Sequence, residues 1–365
     1  MISISSNIES LIPYQPGRSI EEIRELYGLE HIVKLASNEN PLGPSPKAIL
    51  AAEEALLNMH LYPRTGVRLR EKLAVMHGLS SDNVLVGAGS ESVLLSVIRA
   101  YLTPNDEVLT AEGTFIAIYV QTKSQNVALR TIPLKKYRYD LEALADAITE
   151  RTKLIYFANP NNPTGTIFTR AEFERFIGRV PKHVLVVFDE AYFDYAKENP
   201  DYPNSLEYRL DNVVTLRTFS KSYGLAGARI GYGFAHPDVC RNVRKVHLPF
   251  DPSLVSEAAG VGALDDAEFL ERTIQVNREG KAYLEECFSE IGLQTVPTEA
   301  NFIMAVFGTD AEAVTFTEDL LKQGVIVRYL KAFRLPTGVR ITIGTQEENK
   351  FLVDAIKKVY NPVTV

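Results

Sequence analysis

From about residue 83 to 235, short apolar and β-branched runs alternate with stretches of helical periodicity. The runs at 83–86, 107–110, 128–132, 153–157, 184–188, 213–216 and 228–234 predict strands. Those at 91–101, 141–148 and 170–177 predict helices. The run Val184-Leu185-Val186-Val187-Phe188 is apolar at every position instead of alternating. A central strand of a parallel sheet reads this way, because helices cover both of its faces. The expectation is therefore an α/β region with a mostly parallel sheet.

After residue 234 the pattern loosens. Helical periodicity covers roughly 253–291, and short strands are expected at 302–306, 325–329 and 338–343, with a helix between the first two. This predicts a smaller α+β unit. The first thirty residues hold one helical pattern, 19–27, after the Pro-bracketed segment Pro13-Tyr14-Gln15-Pro16-Gly17, and read as an arm. The expected organisation is an arm joined to part of the small domain over 1–34, a large domain over 35–245 and a small domain over 246–365.

Composition narrows the function classes. The 365 residues are 45% hydrophobic, with 39 basic against 46 acidic side chains and a net charge of −7, which argues against disorder and against a nucleic-acid binder. No apolar stretch approaches the roughly 20 residues a membrane span needs. The amino terminus lacks the basic start and apolar stretch of a signal peptide, so a cytoplasmic location is expected. Cys240 and Cys287 form no disulfide framework and no metal-ligand spacing, so no metal is expected.

In open α/β sheets, ligands bind beyond the carboxyl ends of the strands, so the polar residues there are the candidates. The strand at 153–157 runs into Asn159-Pro160-Asn161-Asn162-Pro163-Thr164-Gly165, which by itself reads equally as an ordinary turn. The apolar strand ends in Asp189-Glu190-Ala191-Tyr192, a carboxylate that burial penalises unless a cation meets it. A helix terminus, an Arg or a protonated ring nitrogen would each serve. Next comes Thr218-Phe219-Ser220-Lys221, with Arg229 eight residues beyond the lysine. Hydroxyls and an Arg suit a phosphate, and a Lys beside them is a candidate for imine chemistry. Gly87-Ala88-Gly89-Ser90-Glu91 lacks the third glycine of the dinucleotide fingerprint but fits a turn into an anion-binding helix terminus.

These motifs, with Leu35-Ala36-Ser37-Asn38-Glu39-Asn40-Pro41-Leu42-Gly43, resemble the fold-type I aminotransferases that use pyridoxal 5′-phosphate, over about residues 13–345. Within that superfamily the chain is similar to the histidinol-phosphate branch. The resemblance implies that Lys221 bonds to the cofactor and then moves a proton. Asp189 would pair with the ring nitrogen, while Asn162 and Tyr192 would bond to the ring hydroxyl and Phe115 stack on the ring. Thr218, Ser220, Arg229 and the backbone at Ser90 and Glu91 would hold the phosphate. Tyr62 would reach the phosphate of a second subunit, which implies a homodimer with shared active sites. Arg340 would bind the substrate's anionic group, helped at a substrate phosphate by Tyr14 and Arg328, with Asn38 also at the substrate. Arg328 reads equally as a solvated strand residue.

The chain departs from the usual pattern at Glu91-Ser92, at Arg64 after Tyr62-Pro63, and at His247, where an Arg is more usual. The resemblance implies transfer of the amino group of histidinol phosphate to 2-oxoglutarate. An aromatic amino acid aminotransferase and a threonine-phosphate decarboxylase share the cofactor residues and stay open. An aminotransferase-like transcription regulator would need a DNA-binding domain besides.

Overall fold

A computed structural model describes residues 2–13 and 17–360. Seven strands form one sheet, in the order Val84–Gly87, Gly231–Phe234, Val213–Thr218, Leu185–Asp189, Thr152–Ala158, Glu107–Ala111, Ala128–Ile132. Gly231–Phe234 alone runs against its two neighbours; every other pairing is parallel. The expected mostly parallel α/β sheet is thus present. The carboxyl ends of six strands open on the same edge.

Register explains which side chains serve the core and which the site. Leu154, Tyr156 and Ala158 pair with Leu185, Val187 and Asp189, while Ile155 and Phe157 pair with Val186 and Phe188. Period-two alternation sends these two sets to opposite faces. Leu154, Leu185 and Val187 join a core beneath helix Ser90–Tyr101, with Val93, Leu94 and Val97. Phe157 and Phe188 join Phe168, Phe173 and Phe176 under helix Arg170–Ile177, the first two rings meeting edge to face at 5.0 Å. With both faces covered, a strand apolar at every position is the stable solution.

A four-stranded antiparallel sheet lies later in the chain, in the order Arg328–Tyr329, Gly338–Thr342, Phe302–Val306, Thr295–Val296. Its core is shared with helices Ala267–Ile291, Asp310–Lys322 and Gln346–Val359. Helix Leu254–Leu264, by contrast, shares its core with helices Pro46–Leu56 and Val67–Met76 beside the first sheet.

Two expectations need correction. The strand expected at 228–234 begins only at Gly231, because Arg229 takes a left-handed turn at φ 52°. The strand expected at 325–329 is two: Val325–Ile326 pairs in parallel with Val33–Lys34, and Arg328–Tyr329 joins the four-stranded sheet. The amino-terminal helix Ile20–Tyr27 is docked, with Ile23 fully buried against Leu321 and Ile326. It starts where a capping box of Ser19 and Glu22 satisfies its first donors.

Candidate active site

The carboxyl ends of five strands converge on one cavity. Gly89, Ser90 and Glu91 come from the turn after Val84–Gly87, and Phe115 from the turn after Glu107–Ala111. Asn162 follows Thr152–Ala158, and Tyr192 follows Asp189, the last residue of its strand. Thr218, Ser220, Lys221 and Arg229 also line it. The cavity measures about 160 Å³ and is partly open to solvent.

One end of the cavity is an anion cradle. Gly89 precedes helix Ser90–Tyr101, whose first backbone N–H groups lack helical partners and carry the positive end of the helix dipole. The Arg229 guanidinium lies over this terminus: a Cβ on Gly89 would stand 2.8 Å from its Nη2. Gly231 brings its strand so close that a Cβ there would collide with the Ser90 nitrogen. Thr218 and Ser220 add hydroxyls, with Thr218 Oγ1 bonded to Ser220 Oγ at 3.0 Å and to the Ser220 N–H at 3.1 Å. Two glycines thus hold a guanidinium, a helix terminus and two hydroxyls together. Gly89→Ala, which also forces φ 82° on a residue with a side chain, should cost about 1–2 kcal/mol of stability. It should also weaken inorganic phosphate binding about tenfold, the effect of roughly one charge-assisted bond, measurable by equilibrium dialysis.

At the other end sits Asp189, 4% exposed. Its Oδ1 accepts the Ala191 N–H at 3.1 Å, and its Oδ2 accepts the Tyr156 hydroxyl at 2.8 Å. Burial pushes its carboxyl up to about 6, against those two hydrogen bonds. The next residue, Glu190, is turned away: its Oε2 meets Arg217 at 2.8 Å and its Oε1 accepts the Ser205 N–H. That pair belongs to the structural core, and Asp189 alone faces the cavity.

Of the three asparagines in the turn, two are staples. Asn159 accepts the Phe168 N–H, and Asn161 bonds Thr164, Thr114 and the Gly113 carbonyl. Only Asn162 lines the cavity, its Oδ1 held at 2.5 Å by Arg340 Nη1. Tyr192, buried, receives a 2.9 Å bond on its hydroxyl from Asn38. Asn38 is itself fixed by Thr342 and Asn301.

A second cavity adjoins the first and shares Phe115, Asn162 and Lys221 with it; Gly17, Asn38, Arg328 and Arg340 lie on its far side. The antiparallel register sets Arg328 directly opposite Arg340. Like charges so placed repel, and an anion between them relieves the repulsion. Arg340 also donates to the Ala36 carbonyl at 2.8 Å.

Lys221 stands at the junction, half-buried, its Nζ 3.3 Å from the Ser37 carbonyl. Desolvation, reinforced by Arg340 and Arg229, pushes its amine down to about 7, with Glu39 and Asp189 opposing. It is therefore partly neutral, and nucleophilic, near neutral pH.

Tyr62 is 80% exposed and lies outside both cavities, stacked on Phe250 at 4.4 Å. Tyr14 lies outside the described residues. Three contributors escaped the sequence reading: the Tyr156 hydroxyl, the Ser37 carbonyl, and the close approach at Gly231. Each depends on register or on contacts between distant segments. Among the described residues there is no His, Cys, Asp and Glu cluster able to hold a metal, and no helix is long and apolar enough to cross a membrane.

The arrangement fits a pyridine ring bearing a phosphate. The cradle could take the anion, Asp189 lies where a ring cation would meet it, and Lys221 lines the same cavity. Comparison with known proteins agrees. The family described as Aminotransferase class I and II matches residues 30–356. A histidinol-phosphate aminotransferase of Moorella thermoacetica is 43% identical over 96% of this chain and 92% of its own. That of Symbiobacterium thermophilum is 42% identical over 98% of both. The crystal structure of histidinol-phosphate aminotransferase from Sinorhizobium meliloti, in complex with pyridoxal 5′-phosphate, superposes with a TM-score of 0.88 at 28% identity, covering 98% of this chain and 97% of that one. The chain belongs to the class I and II aminotransferase family, and several of its relatives at about 40% identity are histidinol-phosphate aminotransferases.

Proposed function

We propose that the chain binds pyridoxal 5′-phosphate and transfers the amino group of L-histidinol phosphate to 2-oxoglutarate, giving imidazole-acetol phosphate and L-glutamate. The observation that carries this reading is the position of Lys221 between an anion cradle on one side and two opposed arginines on the other. The cofactor, when bound, supplies an electron sink for the carbon that loses its proton.

The chain's own residues do the rest. Ser90, Glu91, Thr218, Ser220 and Arg229 hold the cofactor phosphate, and Phe115 covers the ring. Asp189 accepts a charge-assisted hydrogen bond from the ring nitrogen, of about 1.5–3 kcal/mol. Asn162 and Tyr192 hold the ring oxygen. Lys221 would hold the cofactor covalently and, with its amine free, would move the proton from the substrate Cα. Arg340 binds the phosphate of one substrate and the carboxylate of the other. Arg328, opposite it, meets the phosphate, with Tyr14 assigned to the same group and Asn38 orienting Tyr192 beside it.

In this reading residues 35–245, extended by helix Leu254–Leu264, carry the cofactor, and the remainder carries the arginines. The working form is a cytoplasmic homodimer. Leu56, Leu57, Met59, Leu61 and Tyr62 stand exposed together with Leu248 and Phe250, an apolar surface that a second copy would cover. Tyr62 would then reach the partner's cradle.

Steady-state rates separate the substrates. Histidinol phosphate should exceed phenylalanine in kcat/KM by at least about 10²-fold, because a site built around a polar group rejects an analogue lacking it. Equal values would make the chain an aromatic aminotransferase, and carbon dioxide released from threonine phosphate would make it a decarboxylase.

A further inference from the structure

Tyr156 lies inside strand Thr152–Ala158, fully buried, among Leu85, Leu154 and Val187. A phenylalanine would fill that space without placing a hydroxyl in an apolar core, a burial that costs free energy unless the group is bonded. The hydroxyl has one clear use. Tyr156 pairs with Val187, and Ala158 with Asp189, so Asp189 is the diagonal neighbour of Tyr156 on the same sheet face, within reach of an aromatic side chain. The hydroxyl bonds Asp189 Oδ2 at 2.8 Å, while the Ala191 N–H holds Oδ1 at 3.1 Å. Each carboxylate oxygen thus has one fixed donor.

The direction of the proton in this bond is settled by its surroundings. Burial and the neighbouring Asp189 charge push the Tyr156 hydroxyl well above its ordinary value. It therefore stays protonated and donates. Asp189, itself pushed up by burial and by the charges of Glu190 and Glu91, is drawn back by this bond.

We infer that Tyr156 is a positioning residue: it fixes the Asp189 carboxylate in one orientation and keeps it an acceptor toward a protonated ring nitrogen. The inference rests on reading the cavity as the site of pyridoxal 5′-phosphate. It assigns a role in cofactor electronics to a residue in the middle of a strand, with no place in the cavity lining.

The test uses Tyr156→Phe, an isosteric change that leaves the apolar face intact. Cofactor-free wild type and variant are titrated by equilibrium dialysis with pyridoxal 5′-phosphate and with its 1-deaza analogue, in which C–H replaces the ring nitrogen. Wild type should bind the natural cofactor more tightly than the analogue. In Tyr156→Phe that ratio should shrink about tenfold, the lower end for a lost bond to a charged group, while affinity for the analogue stays within about twofold. Asp189→Asn should collapse the same ratio, and Tyr156→Phe should then add nothing further, as expected for two residues acting through one contact. A merely structural role would weaken both ligands equally, and that result, or an unchanged ratio, overturns the inference. Wild type that binds neither ligand would overturn the cofactor reading itself, a separate failure.

Discussion

Lys221→Ala should abolish amino transfer while the protein still folds and still holds the cofactor. Losing the proton-transfer group alone removes about 10²–10⁴-fold, and loss of the covalent attachment adds to this. Folding should survive, because Lys221 is half-buried and its amine meets a backbone carbonyl at 3.3 Å and the Tyr192 ring at 5.8 Å, both modest contacts. The variant is checked by turnover together with dialysis for retained cofactor. Normal turnover would remove Lys221 from the chemistry.

The same residue carries a pH signature. Its amine is held down at about 7, so covalent loading of cofactor-free protein should rise as pH climbs through about 7 and then level off. An ordinary lysine would keep rising toward 10.5. Stability follows with a definite sign. Between about pH 7 and 10.5 the unfolded chain holds the lysine proton and the folded chain does not, so stability increases with pH there. Below pH 7 the charged amine is present in both states and its burial penalty is at full strength. Lys221→Met lacks that penalty. It should therefore be more stable than wild type below pH 7, with the difference fading toward pH 10.

Arg340→Gln has the next largest expected effect. Arg340 is 6% exposed, pinned by Asn162 Oδ1 and the Ala36 carbonyl, and faces the cavity shared with Lys221. Truncating one partner of a buried charge contact costs about 2–5 kcal/mol, or roughly 30-fold to several thousand-fold in kcat/KM. The loss should appear with both substrates if, as proposed, one guanidinium serves the phosphate and the carboxylate. Arg340→Lys should not rescue it, because an ammonium cannot reproduce the fork of donors. Arg328→Gln should behave differently, raising KM for the phosphorylated amine and leaving the 2-oxo acid nearly untouched. Steady-state kinetics of both half-reactions separate the two variants. Full activity of Arg340→Gln toward 2-oxoglutarate would contradict the assignment.

Much of this site is legible along the chain because each strand delivers its chemistry just beyond its carboxyl end. Asp189 follows an apolar run, Lys221 follows Val213–Thr218, and Asn162 follows Thr152–Ala158; chain order alone locates all three. Residues whose importance depends on pairing across the sheet were not legible in this way. Tyr156 reads as one more aromatic in a strand until the register sets it diagonal to Asp189. The Arg328–Arg340 opposition is hidden for the same reason, since the expected strand 325–329 gives no sign that it divides between two sheets. The Asn-rich turn shows the opposite limit. Three asparagines are equivalent by spacing; the family resemblance singles out Asn162, and the folded chain gives the reason, since Asn159 and Asn161 staple the loop while Asn162 faces the cavity.

The most direct measurement is a single half-reaction. Purified protein loaded with pyridoxal 5′-phosphate is mixed with histidinol phosphate, with no 2-oxo acid present, and the visible absorbance of the cofactor is followed. The account predicts fast, stoichiometric conversion to the amine form of the cofactor, reversed on adding 2-oxoglutarate. A protein that binds the cofactor but leaves its spectrum unchanged with histidinol phosphate would contradict it.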